Sequence, residues 1–166
     1  MPKEINVAGF GNSQTCRDLH LIPFVSERAW ESYVHDPLRY SHADDRKAQW
    51  ADVYLTSANA VSMQGHIVNI DGTGNRVSAT CFGPEQVIYV IGQNKIAGDL
   101  EGAIARAKEA AVINVKRYNK KTPCAVTGKC EDCLSPECLC GVMTIHRKAL
   151  IGNRISILFV RQDLGF

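Results

Sequence analysis

Apolar residues in this chain come in short runs separated by glycines and turn formers, and the runs change period from one to the next. Ile5 to Phe10 is a compact apolar run that enters the turn GFGNSQT, which predicts a buried strand. From about Leu19 to Asp45 no period is clean. Pro23, Pro37 and several His and Asp residues predict loop there with one short helix. RKAQWADV predicts a helix that delivers the chain to a strand at VYLTSA. HIVNID and RVSATCF follow as two β-rich runs around GTGN, a spacing that suits a turn or hairpin because glycine tolerates positive φ. QVIYVIG is almost wholly apolar and β-branched, the pattern of a central strand covered on both faces.

DLEGAIARAKEAAVINVKRYNKK carries the strongest helical signal. Leu100, Ile104, Ala107 and Ala111 share one face. Asp99 and Glu101 at its start, and Lys116, Arg117, Lys120 and Lys121 at its end, complement the helix dipole. Pro123 is expected to stop it. RISILFV then predicts a closing strand before the tail RQDLGF. Strands alternating with helices predict an α/β fold, a mostly parallel, doubly wound sheet with helices on both faces.

The bulk numbers narrow the function. At 166 residues the chain fits one domain with a sizeable core. A net charge of +2 is too small to argue for nucleic acid or a membrane surface, and no apolar run approaches the ~20 residues of a membrane span. MPKEINVAGF lacks the pattern of a signal peptide, so a cytoplasmic location is expected. The first strand is expected to start within five residues of Met1, which leaves two readings, a self-sufficient short form or a fragment lacking an N-terminal helix over the sheet edge.

Five of the seven cysteines lie in TPCAVTGKCEDCLSPECLC, residues 122–140. A reducing compartment and an odd number of thiols argue against a disulfide framework. Cys124, Cys130, Cys133 and Cys140 give C-x5-C-x2-C-x6-C, with Cys138 as an extra thiol. The central C-x-x-C lets two thiolates converge on one metal, with Lys121 and Lys129 as candidate counter-charges. Zinc usually takes two separated C-x-x-C knuckles, whereas one knuckle with lone flanking cysteines is closer to iron–sulfur ligation. An iron–sulfur cluster, zinc and unmetallated thiols all stay open at this point. Cys81 in SATCF reads as an inert buried thiol, and Cys16 as a packing residue.

Two further constellations carry polar chemistry. Gly11, Asn12 and Ser13 follow the first strand, where a turn can aim amide groups at an anion; a bare strand-to-helix turn explains them equally. Asn59, Asn69, Asp71, Gly72, Gly74, Asn75 and Arg76 fall near predicted strand ends, where α/β sheets bind ligands. Arg76 is suited to a carboxylate, although Asp71-Gly72 and Asn75 are also ordinary turn formers. Lys95 follows QVIYVIG as an anion clamp or a solvated loop lysine.

TSAN, NIDGTGNR, GQNKI, the helix with ARAKEAAVINVKR, the cysteine loop and the closing DLGF, in that order, resemble the LUD (lactate-utilisation) domain family from about Asp52 to Phe166. GFGNSQT resembles the family's turn nearer its start. The resemblance implies one LUD-type domain over residues 1–166 without the N-terminal helices of longer members, with the cysteine-rich loop at 122–141. It implies a fold akin to ribose-5-phosphate isomerase, the CoA transferases and the initiation-factor-2B-like sugar isomerases. It also implies oxidation of L-lactate or a related 2-hydroxy acid beside iron–sulfur redox partner subunits, with a small carboxylate or phosphorylated ligand in the crevice. Homo-oligomers are compatible with it. The family's cysteines fall on Cys124, Cys130, Cys133 and Cys140, and Cys138 departs from its pattern. Two rival functions remain: an isomerase or transferase using Asp71 with Lys95 as acid and base, and an assembly module with a structural zinc.

Overall fold

The computed structural model describes residues 4–36, 42–148 and 152–166. In chain order the elements are β1 (Val7–Phe10), α1 (Gln14–Asp18), α2 (Leu21–Ser26), β2 (Glu31–Val34), α3 (Ala43–Lys47) and β3 (Val53–Thr56). There follow β4 (Ala60–Ser62), β5 (Ile67–Asp71), α4 (Asn75–Cys81), β6 (Gln86–Gly92) and β7 (Ile96–Ala97). The chain closes with α5 (Leu100–Arg117), α6 (Pro123–Thr127), β8 (Val142–His146) and β9 (Ile155–Val160). These elements build two compact units: Met1–Ser57, Ser78–Asn94 and Ala149–Gly165 form one, and Ala58–Val77, Lys95–Lys148 and Phe166 the other.

The first unit is a five-stranded, all-parallel sheet in the order β2-β1-β3-β6-β9, flanked by helices. The chain therefore folds as the doubly wound α/β protein that its alternating pattern predicts. β6, the apolar QVIYVIG, is an inner strand paired on both edges, with Val87, Tyr89 and Ile91 fully buried. Ala8, Phe10, Val53 and Leu55 pack as the core on β1 and β3, with Ile22 and Val25 of α2 against them. The sheet changes direction between β1 and β3, and in such sheets ligands bind at the carboxyl ends of the strands at that switch.

The second unit is a four-stranded sheet, β7-β4-β5-β8, in which β5 runs antiparallel to both neighbours. α5 covers one face. Its Ala103, Ala107 and Ala111 pack on Ala60, Val68 and Ile70, with Leu100 and Ile104 at the margin. The small alanines let the helix approach the strands closely. Asp99 caps the helix by accepting from Gly102 N at 2.7 Å.

Four local expectations need correction. RVSATCF is a helix, α4, because the Asp71 carboxylate accepts from Arg76 N and Val77 N at 3.1 Å and fixes the first turn. Cys81 ends that helix exposed, so it is no buried strand thiol. The loop expected over Leu19–Asp45 contains a strand, β2, which pairs with β1; its Pro37 lies outside the described residues. Pro123 opens a helix instead of ending one: α5 stops at Arg117, and Pro123 takes the first turn of α6 behind the Thr122 cap.

Candidate functional site

The cysteine loop belongs to the second unit and is anchored at both ends. At its start Thr122 Oγ1 accepts from Ala125 N at 3.3 Å, and Lys121 N donates to Glu137 Oε2 at 2.8 Å. At its end Asp71 pairs with Val142 across β5 and β8, which carries Gly141 onto the Asp71–Gly72 turn. A Cβ at Gly141 would lie 2.7 Å from Gly72 O, so no larger residue fits there without moving the turn. The two motifs singled out in the sequence, the DGTGNR turn and the cysteine loop, are thus in direct contact.

Within the loop the thiols divide. Cys140 is pushed up to about 11, first by burial, then by the charge and hydrogen bond of Cys138, then by the charges of Cys130 and Cys133. Cys140 thus feels the other three sulfurs. Cys124 lies on α6, where its Sγ is 3.1 Å from Thr122 Oγ1. The base at the cluster is Lys108 of α5, a residue the sequence reading passed over. Its Nζ is 2.7 Å from Asp132 Oδ1 and 2.9 Å from Oδ2. Asp132 sits inside the C-x-x-C knuckle at φ 45°, and the pair holds the Lys108 ammonium above its ordinary value, with the charges of Cys130 and Cys140 adding to it. Lys108 is half-buried and Asp132 exposed, so Lys108→Ala should change the melting temperature little while making the loop more sensitive to limited proteolysis.

The donor set, four soft sulfurs beside a cation, suits a thiophilic metal. Its present arrangement is looser than a cage: among the described residues no three Cys, His, Asp or Glu side chains converge closely enough to hold an ion.

The polar residues near the DGTGNR turn form a closed network. Arg76 Nη1 donates to Asn69 Oδ1 at 2.8 Å, and Nη2 donates to Asn59 Oδ1 at 2.9 Å and Ile70 O at 2.7 Å. Asn59 N in turn donates to Asn69 Oδ1 at 3.3 Å, and Ile70 N to Asn59 Oδ1 at 3.0 Å. Asn75 accepts from Thr73 Oγ1 at 2.9 Å, and Gly74, at φ +86°, completes the turn. Asn69, one of the polar residues expected near the strand ends, is fully buried at the centre. The arrangement braces the turn with groups that the sequence offers to a ligand.

Lys95 is only 6% exposed, which removes the solvated-loop reading. Val61 pairs with Ile96 and Ala60 with Val68, so Lys95 and the Asn69–Asp71 end of β5 lie at the same end of the small sheet.

In the first unit Gly11, Asn12 and Ser13 follow β1, at the carboxyl rim where the sheet changes direction. Gly11 N donates to Leu55 O at 3.2 Å, Ser13 Oγ caps α1 by accepting from Cys16 N at 3.2 Å, and Asn12 Oδ1 accepts from Arg17 Nη2 at 3.0 Å. The DLGF tail closes on the same rim. Leu164 N donates to Asn94 Oδ1 at 3.1 Å, and Gly165 N to Asp18 Oδ2 at 2.9 Å.

A family model described as the LUD domain matches residues 3–160 of the 166-residue chain. The chain belongs to the LUD domain family. No curated protein and no solved structure matches it. Membership of this lactate-utilisation-type family agrees with the order of motifs from TSAN to the cysteine loop, and no helix among the described residues is long and apolar enough to cross a membrane.

Proposed function

We propose that this LUD domain protein serves as a subunit of a system that oxidises L-lactate or a related 2-hydroxy acid, and that its cysteine loop takes up a thiophilic metal centre, an iron–sulfur cluster in the first instance. The observation that carries this reading is that Cys140 lies within electrostatic reach of Cys138, Cys130 and Cys133, with Lys108 held to Asp132 beside them, on a loop seated against the Asp71–Gly74 turn. A soft cation would favour deprotonation of those thiols and bind the thiolates that result. Small inward rotations of side chains on a loop already anchored at both ends are what binding would require. Iron–sulfur partner subunits would then exchange electrons at an exposed loop, and a small carboxylate or phosphorylated ligand would enter at a sheet's polar rim.

Anaerobic purification followed by iron, sulfide and zinc analysis tests the reading. Iron with matching sulfide supports it. Stoichiometric zinc in a colourless protein favours the assembly-module alternative, and metal-free protein that takes up neither removes both. The isomerase or transferase alternative draws on the burial of Lys95, but the Asp71 carboxylate is already engaged by the amides of Arg76 and Val77.

Metal uptake should depend steeply on pH. Cys140 titrates near 11, so its thiol is protonated at neutral pH and must release a proton on binding. Affinity of the metal-free protein for cadmium should therefore rise with pH through the neutral range and beyond, gaining about tenfold per pH unit for each proton that binding releases. Without metal the sign reverses for folding. A thiol whose pKa is raised stabilises the fold below the ordinary 9.0, and that contribution is lost as pH climbs through about 11.

A further inference from the structure

Both tryptophans of the chain are almost fully exposed, Trp30 at 83% and Trp50 at 87%, and Phe82 is exposed at 78%. The strand register puts all three on one rim of the parallel sheet. Val7 pairs with Glu31, Ala8 with Val53 and Val53 with Gln86, so the amino ends of β1, β2, β3 and β6 are level. Trp30 immediately precedes β2, Trp50 lies just ahead of β3, and Phe82 just ahead of β6. Hydrogen bonds hold this rim as a single surface. Glu31 N donates to Asn6 O at 2.9 Å, the Asp52 carboxylate accepts from Asn6 N at 2.7 Å and Val7 N at 3.0 Å, and Glu85 N donates to Ala51 O at 3.1 Å. A Cβ on Gly83 would lie 2.9 Å from Gln49 O, so the segments bearing Phe82 and Trp50 abut.

Nothing in the proposed redox or metal chemistry uses this rim, which lies across the sheet from Gly11–Ser13. Exposed tryptophan clustered with phenylalanine marks an interaction surface, because these side chains dominate the energetics of interfaces. The area narrows the partner. Three aromatic side chains of ~150–250 Å² each offer about 500 Å² of exposed apolar surface, more than half of the ~800 Å² that each partner of a stable pair buries. The charges around them are mixed in sign: Glu27, Glu31, Asp52 and Glu85 against Arg28, Arg46 and Lys47. A uniformly basic rim would point to a polyanion or a lipid surface. A rim with both signs around an apolar centre can pair with its own copy about a two-fold axis.

We infer that the Trp30–Trp50–Phe82 rim is the interface between two copies of this chain. The dimer would leave the carboxyl ends of the strands open. Because the only two tryptophans lie on this rim, intrinsic fluorescence reports on it alone.

The test joins sedimentation velocity to tryptophan emission over ~1 μM to ~100 μM of the 166-residue chain, the range in which a micromolar dimer assembles. The expected result is a species of twice the 18.3 kDa chain mass, with emission shifting to the blue and iodide quenching falling as the dimer forms. Trp50→Glu, at a position 87% exposed in the single chain, should keep the far-ultraviolet circular dichroism of the wild type and shift the association to at least tenfold higher concentration. A wild-type chain that stays monomeric throughout overturns the inference, including one whose emission moves only when phospholipid vesicles are added. A dimer whose tryptophans remain water-exposed and quenchable overturns it too.

Discussion

Arg154→Met should lower the folding stability by about 3 kcal/mol, seen as a fall in the urea midpoint with little change in slope. Arg154 is 6% exposed and stands at the entrance to β9. Its guanidinium donates to Ala79 O at 2.6 Å, Thr80 O at 2.8 Å and Pro84 O at 2.9 Å. One side chain thus satisfies the last carbonyls of α4 and the turn that follows. Methionine fills much of the volume but leaves three buried acceptors without these donors. Each such acceptor costs roughly 1–3 kcal/mol, partly offset because a buried cation is no longer desolvated. Arg154→Lys should recover only a minor part, because an ammonium cannot span three carbonyls in the planar fork that guanidinium provides.

Asn69→Leu should have an effect of similar size in the second unit, about 3 kcal/mol, through a different mechanism. Asn69 is fully buried, and its Oδ1 accepts from both Arg76 and Asn59 N. Leucine is nearly isosteric, so packing survives while a guanidinium and an amide lose their acceptor. Freed Arg76 also stops bracing the Asp71–Gly74 turn, against which Gly141 packs. The variant should therefore weaken metal uptake by the cysteine loop as well as shift thermal unfolding. Arg76→Lys should lose most of the same bracing, since its charge remains but its two-armed geometry does not.

The legible parts of the fold were those whose signal is local. β1, β3, β5, β6 and α5 announce themselves by runs and periods that burial alone rewards. What stayed illegible depends on residues far apart in sequence. RVSATCF alternates apolar Val77, Ala79 and Cys81 with polar Ser78 and Thr80 as a strand would, yet Asp71 caps its amino end and Arg154, more than 70 positions later, donates to its carbonyls. β2 is a short strand of mixed polarity at the sheet edge, where one face and one margin remain open and the apolar pattern is correspondingly weak. VMTIH could not be told from loop while its partner β5 was unknown.

The candidate site was half legible for the same reason. Spacing alone drew attention to the thiols and to the DGTGNR turn, and the pairing of Asp71 with Val142 joins them. Spacing could not tell that Lys108, on the helix, meets Asp132 within the knuckle, nor that Cys138 is the immediate neighbour of Cys140. Lysines adjacent in sequence, Lys121 and Lys129, were the natural choice of counter-charge until the loop's path over α5 was known. Arg76 and Asn59 had the right chemistry for a ligand, but a half-buried guanidinium must first satisfy its own donors, and here Asn69 and Ile70 O serve them.

The most direct test compares cadmium titrations of metal-free wild type, Cys124→Ser and Cys138→Ser, following the sulfur-to-metal absorption band in the ultraviolet. The account predicts that Cys124→Ser binds like wild type and that Cys138→Ser loses band intensity and affinity. Full binding by Cys138→Ser with loss in Cys124→Ser would contradict it, as would titrations in which no variant, wild type included, develops the band.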